Sequence, residues 1–249
     1  MTPPRVSLRA LATAPPQADA YLIDLDGTLI SGGRLLPHAV SLLAALPGPY
    51  CLVSNDSEHG PAEIASIFAA AGVEIDQARI VLAGAAAVAA VALRSPGARV
   101  MLLGGATLRQ MALDLGLWLD DLHPELVLMA RDRTFSFAKL QAAANAVRRG
   151  AELILACPDM THPGQGGEIV PEVGALAAAL FACVGDVPHE VFGKPEPTLF
   201  KIAVERLGFD ARQCLMIGDN PLTDGRGAAR LGIRFCEVDA VGGDSILAI

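Results

Sequence analysis

Three short apolar runs in this chain each break off at polar residues of one chemical kind, and that recurrence constrains the fold more than any other feature. Tyr21-Leu22-Ile23 ends in Asp24, Tyr50-Cys51-Leu52-Val53 ends in Ser54-Asn55, and Leu215-Met216-Ile217 ends in Gly218-Asp219. A continuous apolar run closed by turn residues reads as a strand buried on both faces. Helix-like stretches alternate with such runs along the chain, which predicts an α/β fold on a mainly parallel sheet. Open sheets of this kind bind ligands outside the carboxyl ends of their strands, so three neighbouring strands would bring these ends to one crevice.

The composition supports a substantial core, in one large domain or two modest ones, because 52% of the 249 residues are hydrophobic. A formal net charge of -8 offers no broad basic surface, so neither nucleic acid nor an anionic membrane is expected as a partner. The longest small-apolar stretch, Val81 to Leu93, is mostly Ala, interrupted by Gly84 and well short of the roughly 20 residues of a spanning helix. Residues 1–20 contain Arg5, Arg9 and four prolines without an apolar h-region, so no secretory signal is expected. Cys51, Cys157, Cys183, Cys214 and Cys236 are odd in number and form no C-x-x-C pair. They read as buried, reduced thiols of a soluble cytoplasmic protein.

Further strands are expected at Arg99–Leu103, Leu126–Ala130 and Leu153–Ala156, with a helix over Ala138–Arg149. None of these strands ends in acids. The middle third therefore reads as an inserted α/β domain over 80–170, with 1–79 and 171–249 forming the core. The Ala-rich stretch Gly174–Phe181 is placed as the helix that returns to the core. Pro61 to Gly72 reads as a helix with Pro near its start and Gly at its stop, its N-terminus suited to an anion.

Asp24-Leu25-Asp26-Gly27-Thr28 alone is equally an Asp-Gly turn that ends a strand. The other strand ends weigh for a site. Asp24, Asp26 and Asp219 would repel one another without a hard cation, and Mg2+ prefers oxygen ligands, so Mg2+ is the expected cofactor. A carboxylate also serves as a nucleophile, through an aspartyl-phosphate. Asp24, at the end of the rigid strand, is the candidate. Asp26, just beyond, is the candidate to protonate the leaving alcohol and then activate water, a role that favours a raised pKa.

Lys194, set between Gly193 and Pro195, is the candidate cation for the phosphoryl oxygens, against the default of a snorkelling surface lysine. Ser54 and Asn55 bring a hydroxyl and an amide to the phosphate, or cap a turn. In Gly218-Asp219-Asn220-Pro221-Leu222-Thr223-Asp224, Asp219 is the expected metal ligand. Asp224 is either the N-cap of a helix over Gly225–Leu231 or a partner of a water on the metal. Thr28, Gly218 and Asn220 are supporting residues.

Taken in order, Asp24-x-Asp26-Gly27-Thr28, Ser54-Asn55, Lys194 and Gly218-Asp219-x4-Asp224 resemble the four motifs of the haloacid dehalogenase (HAD) superfamily. Ala156-Cys157-Pro158-Asp159, Gly166-Gly167 and Pro171-x-x-Gly174-Ala175-Leu176 narrow the resemblance to subclass IIA, the NagD, p-nitrophenyl phosphatase and pyridoxal phosphatase group. The resemblance implies a Rossmann-like core with a C2-type cap, Asp24 as nucleophile and Asp26 as acid/base. It also implies Mg2+ held by Asp24, the main-chain carbonyl of Asp26 and Asp219, with Ser54, Asn55 and Lys194 on the phosphate of a small-molecule phosphomonoester. A homodimer through the cap is implied as well, and the Gly32-Gly33 turn resembles the family's flap.

Two positions depart from the subgroup. Asp56 stands where Asn is common and would repel phosphate unless it faces away; Cys157 stands where Asn is usual and alters either recognition or packing. A catalytically silent binding or regulatory protein on the same fold is the alternative reading, and a metal-independent dehalogenase, which has no need of Asp26, a further one. His38, His59, His123, His162 and His189 lack metal-ligand spacing and are expected in solvent-facing loops, with His162 in a loop able to face substrate. Phe135 and Phe137 either pack or stack on a substrate ring.

Overall fold

The computed structural model describes residues 5–163 and 168–239. In chain order the strands are β1 (Val6–Ser7), β2 (Ala20–Ile23), β3 (Ile30–Ser31), β4 (Arg34–Leu35), β5 (Tyr50–Ser54), β6 (Ile80–Leu82), β7 (Arg99–Leu103) and β8 (Trp118–Leu119). They continue with β9 (Leu126–Met129), β10 (Glu152–Leu155), β11 (Thr161–Pro163), β12 (Ile169–Pro171), β13 (Glu190–Val191), β14 (Cys214–Gly218) and β15 (Arg234–Asp239). Two compact units result. One is made of the described parts of Met1–Ser54, Pro61–Val81 and Lys194–Ile249, the other of Asn55–Gly60 and the described parts of Leu82–Gly193.

In the first unit a six-stranded sheet runs in the order β1-β15-β14-β2-β5-β6. β2 is buried at all four positions and β14 at all five, as continuous apolar runs require. Parallel pairing sets Ile217 beside Ile23 and Ile23 beside Leu52. Asp24, Ser54 and Asp219 therefore leave the sheet along one edge, and the Asp24 amide is tied to the Ile217 carbonyl at 2.9 Å. The β3–β4 hairpin pairs Ser31 with Arg34 around Gly32 (φ +56°) and Gly33 (φ +74°), a left-handed pair that only a primed turn uses. β1 and β15 lie outside the sequence reading, because β15 is only partly buried and β1 has two residues.

The second unit is built on a five-stranded sheet in the order β13-β10-β9-β7-β8, parallel at every described pairing. The expected strands and the helix Phe137–Arg148 are found within a residue or two of their predicted bounds. The predicted return to the core at 171 is wrong. Helix Val173–Val184 belongs to the second unit, packs against helix Phe137–Arg148 and β10, and the chain re-enters the first unit at Lys194. The cause lies at Gly174, whose N–H donates to the Asp159 carbonyl at 2.8 Å and where a Cβ would collide with the Pro158 and Asp159 carbonyls.

Residues 55–60 likewise join the second unit, through Gly84 N–H to the Asp56 carbonyl (3.0 Å) and Arg131 N–H to the Ser57 carbonyl (3.2 Å). Such long-range main-chain bonds leave no local sequence signal.

The expectation of buried thiols holds for Cys51, Cys157 and Cys214, whereas Cys183 is exposed and Cys236 half-buried. Gly166 and Gly167 lie outside the described residues. Among the described residues no helix is long and apolar enough to cross a membrane.

Candidate active site

The first unit gathers Asp24, Lys194, Asp219 and Asp224 at the carboxyl edge of β2, β5 and β14. The Lys194 ammonium donates to Asp24 Oδ1 at 2.5 Å, to Asp224 Oδ1 at 2.6 Å and to the Val53 carbonyl at 3.0 Å. At 2% exposure it is no surface lysine. One oxygen each of Asp24, Asp219 and Asp224 lies within 4.8 Å of the others.

Two glycines make this crowding possible. Gly27 has φ +80°, a left-handed conformation, and a Cβ there would overlap the Asp219 carboxylate. A Cβ on Gly218 would overlap the Asp224 carboxylate in the same way.

Asp224 is not a helix N-cap. It is buried inside a single wide turn, Pro221–Gly225, and its Oδ2 accepts from the Asn220 N–H at 3.2 Å. Asn220 takes the capping role instead, its side chain accepting from Leu222 N–H at 2.9 Å. Asp224 thus joins the carboxylate cluster.

Electrostatics set these acids apart from ordinary ones. Burial, then the charge of Asp24, pushes Asp219 up to about 6, and the same two causes push Asp224 up to about 8 despite Lys194. Burial by itself would lower Lys194, but the charges of Asp224 and Asp24 more than offset it and leave its pKa raised. One ammonium does not neutralise three carboxylates. A hard divalent cation with oxygen preference fits this donor set, since it would relieve the repulsion that helps raise the pKa of two of the acids.

The remaining predicted residues fall into place unequally. Asp26 is exposed on the turn that bridges to Ile30, outside the three-carboxylate group. Thr28 is fully buried, and its hydroxyl has no hydrogen-bond partner among the described residues. Ser54 is buried at the end of β5. Asn55 begins the second unit, where its Nδ2 donates to Asp159 Oδ2 at 2.9 Å.

Asp56 spends its carboxylate on its own turn. Oδ1 accepts from the Glu58 and His59 N–H groups at 2.8 and 2.9 Å, and Oδ2 lies 2.7 Å from His59 Nδ1. Burial raises it, yet His59 and these N–H groups hold it below the ordinary carboxylate range. Cys157 is buried, with its thiol pushed up chiefly by burial.

Among the histidines, His38 and His123 are exposed as expected, and His189 is exposed with its ring against Phe181. His162 is paired with Glu172 at 2.7 Å, and His59 with Asp56. Phe137 is 82% exposed and Phe135 half-buried. Sequence reasoning missed the partnership of Asp159 with Asn55, whose only trace was the Cys157-Pro158-Asp159 motif.

Comparison with known proteins gives concordant results. A family model described as haloacid dehalogenase-like hydrolase matches residues 21–118, and a second HAD-hydrolase-like model matches 191–240. The acid sugar phosphatase of Staphylococcus saprophyticus is 34% identical over 209 residues, 82% of this chain and 80% of its own. The p-nitrophenyl phosphatase from Archaeoglobus fulgidus superposes with a TM-score of 0.82 at 26% identity, covering 88% of this chain and 85% of its own. The glycerol phosphate phosphatase of Mycobacterium tuberculosis, solved in complex with magnesium, gives a TM-score of 0.81 at 30% identity, covering 95% of this chain and 70% of its own.

Proposed function

This chain belongs to the haloacid dehalogenase-like hydrolases, as a phosphatase of subclass IIA, and we propose that it is a Mg2+-dependent phosphomonoesterase acting on a small polyol or sugar phosphate. The observation that carries the proposal is Lys194 bonded to both Asp24 and Asp224 beside Asp219 at one sheet edge. Relatives that act on sugar and glycerol phosphates support the substrate class.

In this reading Lys194 fixes the Asp24 carboxylate by holding Oδ1, and an Asp24 oxygen attacks phosphorus. The ester P–O bond breaks, and the leaving alkoxide takes the proton of the Asp26 carboxyl. Asp26, now a carboxylate, accepts a proton from the water that attacks the aspartyl-phosphate; phosphate leaves and Asp24 is regenerated. The exposure of Asp26 suits both an incoming alcohol and an incoming water. Ser54, Asn55 and Lys194 bind the phosphoryl oxygens, where the developing charge is greatest. Asp24, the Asp26 carbonyl and Asp219 would hold Mg2+, which would supply charge neutralisation for carboxylates and phosphate alike.

A homodimer through the inserted unit is part of the proposal, supported by exposed Leu93, Trp118 and Leu122 in that unit. Sedimentation of the protein at micromolar concentration as a single monomeric species would remove it.

The deciding experiment measures phosphate release from p-nitrophenyl phosphate and a panel of sugar, glycerol and dihydroxyacetone phosphates. Wild type with Mg2+ is expected to turn over, chelation to stop it, and acid-quenched label from substrate phosphate to sit on the peptide containing Asp24. Equal release by wild type and Asp24→Asn would sink the reading.

A further inference from the structure

We propose that Asp159 is a positioning residue, which fixes the Asn55 carboxamide in the orientation that phosphate binding requires. The inference rests on the phosphate role proposed above for Ser54 and Asn55.

A carboxylate only accepts hydrogen bonds, whereas an Asn amide presents a donor end and an acceptor end of nearly equal shape. The 2.9 Å bond from Asn55 Nδ2 to Asp159 Oδ2 therefore decides which way round the amide stands, and an ionised acceptor makes that bond stronger than a neutral one. The opposite end of the amide is bounded too. A Cβ on Gly193 would come within 2.7 Å of Asn55 Oδ1 and 2.7 Å of Cys157 Cβ, so the absence of a side chain there leaves the room the carboxamide oxygen occupies.

Asp159 is itself anchored. Its carbonyl accepts from Gly174 N–H at 2.8 Å, and Gly174 admits no Cβ against the Pro158 and Asp159 carbonyls. Cys157, Asp159, Gly174 and Gly193 thus form one frame around Asn55, all of it within the second unit. That gives a common task to the Cys-Pro-Asp and Pro-x-x-Gly motifs, which the reaction scheme leaves unused.

A double-mutant cycle on p-nitrophenyl phosphate, with Mg2+ and with the melting temperature of every variant, tests this. Asp159→Ala is expected to lower kcat/KM by about 10- to 100-fold, the cost of a misplaced binding group, and to weaken inhibition by inorganic phosphate in parallel. In the Asn55→Ala background the same substitution is expected to change kcat/KM by less than about twofold, because its effect passes through Asn55. Asp159→Asn, whose amide oxygen still accepts from Nδ2, should stay within about threefold of wild type.

An equal loss from Asp159→Ala in both backgrounds overturns the inference, as does a lower melting temperature with unchanged activity per folded molecule. Where Asp159→Ala does not fold, the modest loss from Asp159→Asn decides by the same criterion: it must vanish in the Asn55→Ala background. A wild type that releases no phosphate overturns the phosphatase reading and this inference together. An active wild type with an additive cycle overturns the inference alone.

Discussion

Both units bury aspartates, but they treat them in opposite ways. In the second unit Asp132 is 6% exposed, and its oxygens accept from Thr134 N–H (2.9 Å), Thr134 Oγ1 (2.7 Å) and Lys139 Nζ (2.6 Å). Burial alone would raise its pKa, yet these donors hold it below the ordinary value. Asp56 behaves likewise within its own turn. In the first unit Asp219, half-buried, and Asp224, fully buried, lie beside a third carboxylate and Lys194, and both are raised. A fully partnered carboxylate stabilises the fold around it, whereas a crowded one is held in wait for a cation that the chain does not itself supply. In the proposed reaction, the difference separates acids that build structure from acids that would hold the cation.

The comparison breaks first, and by the largest amount, at Asp24. Asp24→Asn is expected to lower phosphate release by at least about 10³-fold, the scale of losing a nucleophile, while the circular dichroism spectrum stays that of wild type. Comparable turnover by the variant would return Asp24 to the class of structural acids.

Next comes Lys194. Lys194→Met removes the ammonium shared by Asp24 and Asp224 and is expected to cost about 3 kcal/mol in metal-free protein at pH 8, read from urea unfolding. Asp224, already raised to about 8, should take up a proton and limit the loss at pH 6.

Asp219→Asn should act with the opposite sign. A carboxyl whose folded pKa is raised to about 6 costs nothing below the unfolded value near 4, and its cost grows as pH rises through 6. Metal-free Asp219→Asn is therefore expected to be more stable than wild type by about 2 kcal/mol at pH 8 and no different at pH 4. Mg2+ should raise the melting temperature of wild type far more than that of the variant. A variant no more stable at pH 8 would show that Asp219 is not strained.

The smallest effect belongs to the second unit. Asp132→Asn is expected to lose about 1 kcal/mol at pH 7, since Lys139 is partly solvated and its pairing is correspondingly weakened. Because the folded pKa of Asp132 is lowered, its contribution is present above the unfolded value near 4 and is lost as pH falls through the folded value. Guanidinium unfolding of both proteins along a pH series should show the two curves converging at the acid end, the mirror of Asp219.

Much of this site was legible because chemistry was written at strand ends. Asp24, Ser54 and Asp219 each follow an apolar run directly, and period and polarity suffice to find such positions. Asp224 was read as a cap or a partner of water, since a residue six positions beyond a strand can point anywhere; the wide turn at Pro221–Gly225 points it at Lys194. The same limit hid the return at Lys194, where an Ala-rich helix carries no mark of which sheet it will cover.

By itself the sequence determined the α/β class, the parallel sheet, the residues at its carboxyl edge and the family, because each depends on local pattern or ordered motifs. The tertiary structure alone decided which acids share a lysine and which are held by N–H groups of their own turn. It alone placed Asp159 against Asn55, 104 positions away, and gave 55–60 to the second unit. Protonation, partnership and unit membership depend on distances between residues far apart in the chain, and those distances exist only after the backbone has closed.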